Sequence, residues 1–200
     1  MYDPRHVANE FIRRASERNL TLTHMQIQKL IYFAHARMLS IHSEPLINQG
    51  FEAWSYGPVV PNLYQSLKRH GSDPVREEIP MGTAVGLNTR ERDLIDHVFN
   101  RYGSLTAGQL SELTHGEGTP WRNAVGRGQD DQRMSNEDIK GYHVQQWRAE
   151  ARETLERISR IPEIREKVLE GIGQIERGEY VSMTSDELAE KLASRGLSHS

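Results

Sequence analysis

The chain has 200 residues, room for one ordinary domain with an appendage. Hydrophobic residues make up 36% and charged residues 26%, the balance of a soluble globular protein. It has no cysteine, which excludes disulfides, thiolate zinc sites, iron–sulfur clusters and cysteine nucleophiles, and suits a reducing cytoplasm. A net charge of -3 leaves no footprint for wholesale nucleic-acid binding. No apolar run approaches the roughly 18–20 residues of a membrane span. No apolar stretch of signal-peptide type follows Met1-Tyr2-Asp3-Pro4-Arg5-His6. The expectation is a cytoplasmic protein without membrane contact.

Asp3 can cap a first helix with Pro4 at its opening position, where a missing N–H costs nothing. Val7, Phe11 and Ala15 then recur at helical spacing. Thr23-His24-Met25-Gln26 is a capping box, and Ile27, Leu30, Ile31, Ala34 and Met38 give the next helix one wide apolar stripe. Residues 51–56 change period. Phe51, Ala53 and Ser55 alternate with Glu52, Trp54 and Tyr56, the pattern of a short strand ended by Gly57-Pro58. On such a strand Trp54 and Tyr56 share a face, with Trp121 and His115 placed to close over them. Pro61 opens a helix through Leu63 and Leu67, stopped by Gly71. Residues 72–88 read as loop with a second short strand around 75–79.

Asn88 with Glu91 forms another capping box, and Leu94, Ile95, Val98, Phe99 and Tyr102 supply a core face up to Gly103. Thr106 with Gln109 starts a further helix, and Thr119-Pro120-Trp121 starts one more. Residues 126–135 read as a polar loop. Ile139, Tyr142 and Trp147 lead into a helix that Ile161-Pro162 breaks. The fold class is mainly α: a compact helical domain with a small β element near residues 51–56, plus a C-terminal helical tail.

Catalytic patterns are sparse. Nine His are present, without HExxH or zincin spacing. His35 and His42 lie seven apart, and His115 and Glu117 flank Gly116 in a turn. Structural or surface roles suit these residues better than ligation, and neither metal nor cofactor is expected. There is no GxSxG elbow, P-loop, GxGxxG or paired-Asp motif. No enzyme activity is therefore expected. A weaker reading is a metal-dependent or hydrolytic site built on His35, His115 and Glu117. Residues 104–125 have the outline of a helix–turn–helix. They offer only Arg122 and Arg127 as phosphate partners, fewer polar groups than base readout requires. A DNA-binding regulator using residues 104–125 is the alternative reading, and nucleic acid is not the favoured partner.

Two stretches resemble a known family. Gln28-Lys29-Leu30-Ile31-Tyr32-Phe33-Ala34 is followed by Glu52-Ala53-Trp54-Ser55-Tyr56-Gly57-Pro58-Val59-Val60-Pro61 and Tyr64. Further on stand Leu110-Ser111-Glu112-Leu113-Thr114-His115 and Pro120-Trp121. Together, over about residues 5–145, they resemble the Panacea domain of SocA-like antitoxins and phage-associated GepA-like proteins. The resemblance implies an antitoxin encoded beside a small toxic protein, in a bacterial or prophage setting of phage defence. Some members neutralise by binding, and one branch delivers its toxin to a protease. Lys29, Trp54, Tyr56, Gly57, Pro58, Val59, Pro61, Tyr64, His115, Pro120 and Trp121 carry the motif, with fold-defining packing as their expected role.

Charge and aromatics divide the chain. Residues 1–136 hold 15 acids and 15 bases, so the deficit comes from residues 137–200, with 13 acids against 10 bases. After Trp147 the one aromatic is Tyr180. The expected domains are 1–147 and a helical tail, 148–200, whose neutralising segment is about 162–195. Residues 170–182 resemble the C-terminal segments of RelB- and ParD-type antitoxins, which run helix, Arg/Lys-Gly-Glu, a β-prone stretch and a last helix. Val168, Ile172 and Ile175 share a helix side that Gly171 and Gly173 weaken by about 1 kcal/mol each. Such a helix needs a surface to form on. Tyr180, Val181 and Met183 can run extended, and Leu188 and Leu192 continue the apolar edge. These eight residues are the expected toxin-binding anchors. Residues 166–193 hold seven acids and three bases, which suits a basic, RNase-like toxin as the partner. Self-association and a protease-adaptor role are compatible with the same pattern.

Overall fold

In a computed structural model the described residues are 1–81, 86–128 and 132–158, with isolated positions 166, 169, 170, 173, 174 and 177. The chain divides into two units, Met1–Lys140 and Gly141–Ser200. The described elements of the first are mainly helical, as the apolar periodicity predicts, and include two small sheets.

Helix α1 spans Pro4–Glu17, with the Asp3 side chain accepting from the Arg5 N–H and Pro4 in the first turn. Strand β1, Leu22–Thr23, leads directly into α2, His24–His42. The Thr23/Gln26 capping box is formed in full. Helix α2 exceeds the stripe expected of it. Beyond Ile27, Leu30, Ile31, Ala34 and Met38, it also buries Gln28, Lys29, Tyr32, Phe33, His35 and Leu39. A helix buried over most of its circumference is a central one. It is covered by α1, by α3 (Pro61–Leu67), by α4 (Thr89–Tyr102) and by α5 (Ala107–His115). Aromatic rings fill the gaps around it. Tyr32 meets Phe51 edge-on at 5.4 Å, and Phe33 stacks on Tyr102 at 4.4 Å.

The β element differs from the expected single strand. Strand β2 is Phe51–Trp54, and its burial alternates as the sequence pattern requires. Ser55-Tyr56 form a turn, and β3, Gly57–Val59, returns antiparallel with Ala53 opposite Pro58. Gly57-Pro58 therefore opens a second strand rather than ending the first. Proline is tolerated there because β3 lies at the edge of its three-stranded sheet, with β2 in the middle. The third strand, β5 (Arg133–Met134), falls within the stretch expected to be loop. The strand expected around 75–79 is the two-residue β4, Pro74–Val75, paired with β1.

Asn88 and Thr106 cap α4 and α5 through complete capping boxes. Helix α6, Pro120–Gly126, follows with Thr119 as its cap. Helix α7, Asn136–Ile158, starts three residues before Ile139 and runs on from the first unit into the second. None of the described helices is long and apolar enough to cross a membrane.

Candidate functional site

The motif residues of the two sequence blocks converge on the β2–β3 hairpin. Two neighbours on α2 fasten its outgoing strand. Gln28 accepts from the Val60 N–H at 2.9 Å and donates to the Val60 carbonyl at 3.3 Å, like the edge of another strand. Lys29 donates its ammonium to the Pro58 carbonyl at 3.0 Å. Lys29 is only 1% exposed, and burial drops its pKa from the ordinary lysine range to about 7. Among the described residues no carboxylate lies within ion-pair distance of it, and Pro58 is its hydrogen-bond partner.

Gly57 is what lets the lysine through. Its φ is +104°, and a Cβ there would lie 2.6 Å from Lys29 Cε and 2.7 Å from Thr114 Oγ1. Pro61 occupies the opening turn of α3, which carries Tyr64 toward the hairpin. The Tyr64 ring meets Trp54 edge-on at 4.9 Å and His24 at 5.9 Å. Trp54 also donates its indole N–H to Glu52 at 2.8 Å. Val59 is buried opposite Glu52.

The second block closes the other flank. Trp121 donates its indole N–H to the Trp54 carbonyl at 2.8 Å. His115, at the end of α5, lies 3.8 Å from the Trp121 ring. Its pKa is pushed down by burial, with the Lys29 and Arg122 charges acting in the same direction. Pro120 is buried in the first turn of α6. Ser111 donates its hydroxyl to the Tyr56 carbonyl at 2.8 Å, tying α5 to the turn. Trp121 thus meets the backbone of Trp54 with His115 against it, while the Trp54 ring faces Tyr64 and a cleft on the other flank. Tyr56 lines the same cleft as Trp54, without Trp121 or His115 over it. It lies in the turn and is 70% exposed.

Between α2 and the hairpin lies a cleft of about 530 Å³. Lys29, Gln28 and Val59 line it together with His24, Trp54 and Tyr64, and Tyr56 stands at its edge. The His24 pKa is also pushed down, first by burial and then by the Lys29 charge. Sequence reasoning placed Lys29 in the motif but missed its burial as a lone cation. The available signal was its position within a helix apolar on nearly every side.

The histidines singled out in the sequence separate. His35 is buried with Nε2 3.0 Å from Asn136 Oδ1, while Nδ1 accepts from the Ile47 N–H. That pattern places the proton on Nε2, and burial lowers the ring's pKa. His42 ends the same helix, and His115 with Glu117 belongs to the α5–α6 corner. Among the described residues no group of three His, Asp or Glu side chains is arranged to hold a metal. In the 104–125 segment, Leu110, Trp121 and Ala124 are buried, while Arg122, Asn123, Val125 and, just beyond, Arg127 face solvent. The anchors expected in the tail, Val168, Ile172, Ile175, Tyr180, Val181, Met183, Leu188 and Leu192, lie outside the described residues.

The hairpin, its α2 clamp and the start of α6 fall within a stretch that matches a known family. The model of the family described as Antitoxin SocA-like, Panacea domain, matches residues 27–122. Antitoxin SocA of Caulobacter vibrioides (strain NA1000 / CB15N) is 33% identical over 128 residues, 60% of this chain and 68% of that protein. No solved structure matches the chain. With this identity across more than two thirds of the relative, the chain belongs to the SocA-like antitoxin family of Panacea-domain proteins.

Proposed function

We propose that this protein neutralises a cognate protein toxin by direct binding, with residues 1–147 as scaffold and the segment about 162–195 as the grip. The observation that carries the reading is the 33% identity over 128 residues to a protein named as an antitoxin, together with a family match over residues 27–122 that includes both motif blocks. The tail supplies the second support. Its apolar residues are sparse and striped, its resemblance to RelB- and ParD-type antitoxin segments is separate from the domain match, and residues 166–193 are acidic. A weak helix that orders only on a partner gives binding without a preformed surface. The charge favours a basic, RNase-like toxin. The same contact serves as an adaptor when the bound toxin is passed to a protease. The setting is the cytoplasm of a bacterium, as part of phage defence, and the role needs no catalysis.

Co-expression with the product of the neighbouring gene tests the reading. The expected result is growth arrest by that product alone, restored growth when both are made, and a complex that survives purification. A harmless neighbour, or toxicity that persists beside the intact chain, contradicts it. Removing residues 162–200 should abolish neutralisation and leave the domain's α1–α6 core folded. Rescue by the shortened chain would move the grip onto the domain.

A further inference from the structure

The sheet face that looks into the cleft carries a carboxylate. Glu52 and Trp54 are two apart on β2 and so share a face. Val59, which lines the cleft, stands directly across the ladder from Glu52. The Glu52 carboxylate is therefore on the cleft's side of the sheet, where it accepts the Trp54 indole N–H at 2.8 Å. Among the described residues no cation lies within ion-pair distance of it. Arg133, its ladder partner on β5, is exposed and makes no ion pair with it.

The reachable walls beside that carboxylate are aromatic. Trp54 and Tyr64 are half-buried, and their rings meet at 67° with centroids 4.9 Å apart. Tyr56 stands at the edge, 70% exposed. An aromatic face carries the negative lobe of its quadrupole, so such walls with a carboxylate at their end favour a cation. The basic groups of the lining do not cancel this. The Lys29 amine is 1% exposed beneath Gly57, bonded to the Pro58 carbonyl, and burial brings its pKa to about 7. His24 is pushed down by burial and by the Lys29 charge. At pH 8 both are mostly neutral, and the charge a ligand can reach is that of Glu52. A guanidinium fits better than an ammonium. It is planar and weakly hydrated, stacks on aromatic faces and forks its N–H donors onto a carboxylate. About 530 Å³ accommodates an arginine with its neighbouring side chains.

We propose that this cleft receives an arginine side chain of a basic protein partner, the guanidinium lying on Trp54 and Tyr64 and pairing with the Glu52 carboxylate, with Tyr56 against its stem. Taking that partner to be a basic protein rests on the antitoxin reading; the chemistry of the cleft does not. The domain thereby gains a contact of its own, of the same sign as the acids of the tail.

The test uses the full chain and no toxin, so it fails separately from the antitoxin reading. The probe is the blocked peptide acetyl-Gly-Leu-Arg-Leu-Gly-amide, with its Gln and Lys counterparts as controls. Binding is followed at pH 8 through the indole ¹H–¹⁵N signals, the Trp54 signal being the one lost in Trp54→Phe. The Arg peptide should move that signal and bind about tenfold tighter than the Gln peptide, the factor a charged hydrogen bond supplies. It should bind about threefold tighter than the Lys peptide. Glu52→Gln should erase the preference for Arg over Gln, with the fold kept because the amide oxygen still accepts the indole N–H. Tyr56→Ala should weaken the Arg peptide by about threefold, with the fold intact because that ring is exposed. Equal binding of the Arg and Gln peptides, a static Trp54 signal at millimolar Arg peptide, or a preference that survives Glu52→Gln overturns the proposal. So does a Lys peptide that binds more tightly than the Arg peptide, or a single-stranded oligonucleotide that moves the signal further. If Glu52→Gln fails to fold, the Trp54 signal in the unaltered chain and the Tyr56→Ala measurement decide the question.

Discussion

The two flanks of the β2–β3 hairpin are built from similar residue types and finished differently. Toward α6 the flank is closed. An indole N–H meets a backbone carbonyl, and an imidazole lies against the indole ring at 3.8 Å. Toward α2 the flank stays open, with Trp54 and Tyr64 in its walls, and the Lys29 amine lies buried beneath Gly57 with no counter-charge among the described residues. The closed side holds the hairpin in place. The open side bears a cost in stability that packing alone would not have required. One small sheet thus separates a closed contact from an open cleft.

The largest expected effect strikes the closed flank. Trp121→Ala removes a buried ring and the hydrogen bond to Trp54, and should cost about 3–5 kcal/mol in denaturant unfolding. A loss below about 1 kcal/mol would mean the flank is not closed as described. Gly57→Ala sits on the boundary between the flanks. The left-handed φ and the overlap with Lys29 Cε should together cost about 2–4 kcal/mol. A neutral result would show that the lysine does not pass beside that glycine.

Lys29→Met examines the open flank, and here pH decides the sign. The folded pKa, about 7, lies below the ordinary 10.5, so the native state holds fewer protons than the unfolded chain between those values. Lys29 therefore makes stability rise with pH across that window. Below about pH 7 the full cost of the buried charge is present. Lys29→Met should be the more stable protein at pH 6 by about 1–4 kcal/mol, and should lose that advantage as pH rises toward 10. Parallel stability curves for the two proteins would contradict the unpaired cation. Tyr56→Ala is the smallest effect. Its ring touches water, and stability should change by less than about 0.5 kcal/mol. A larger loss would make the rim part of the core.

Local signals in the sequence translated faithfully into structure. The caps at Asp3, Thr23, Asn88 and Thr106 are formed because each depends on residues two or three positions away. Burial alternation along Phe51–Trp54 was equally legible. Pairings across long separations were not. Strand β5 is two residues long and gains its identity from a partner more than eighty positions earlier. Pro58 reads as a strand breaker until the sheet order shows its strand at an edge. Lys29 reads as a solvated charge until the helices around α2 are in place. The motif residues were recognisable as a set, while their division into a closed and an open flank needed three dimensions.

The central claim is that the chain holds its toxin through the tail and not through the closed core of the domain. Growth rescue by the full-length chain carrying Ile172→Asp, Ile175→Asp and Tyr180→Ala, co-expressed with the neighbouring gene product, tests it most directly. The account predicts normal amounts of folded protein, loss of the purified complex and loss of rescue. Full rescue by this triple variant, with the complex intact, would contradict it.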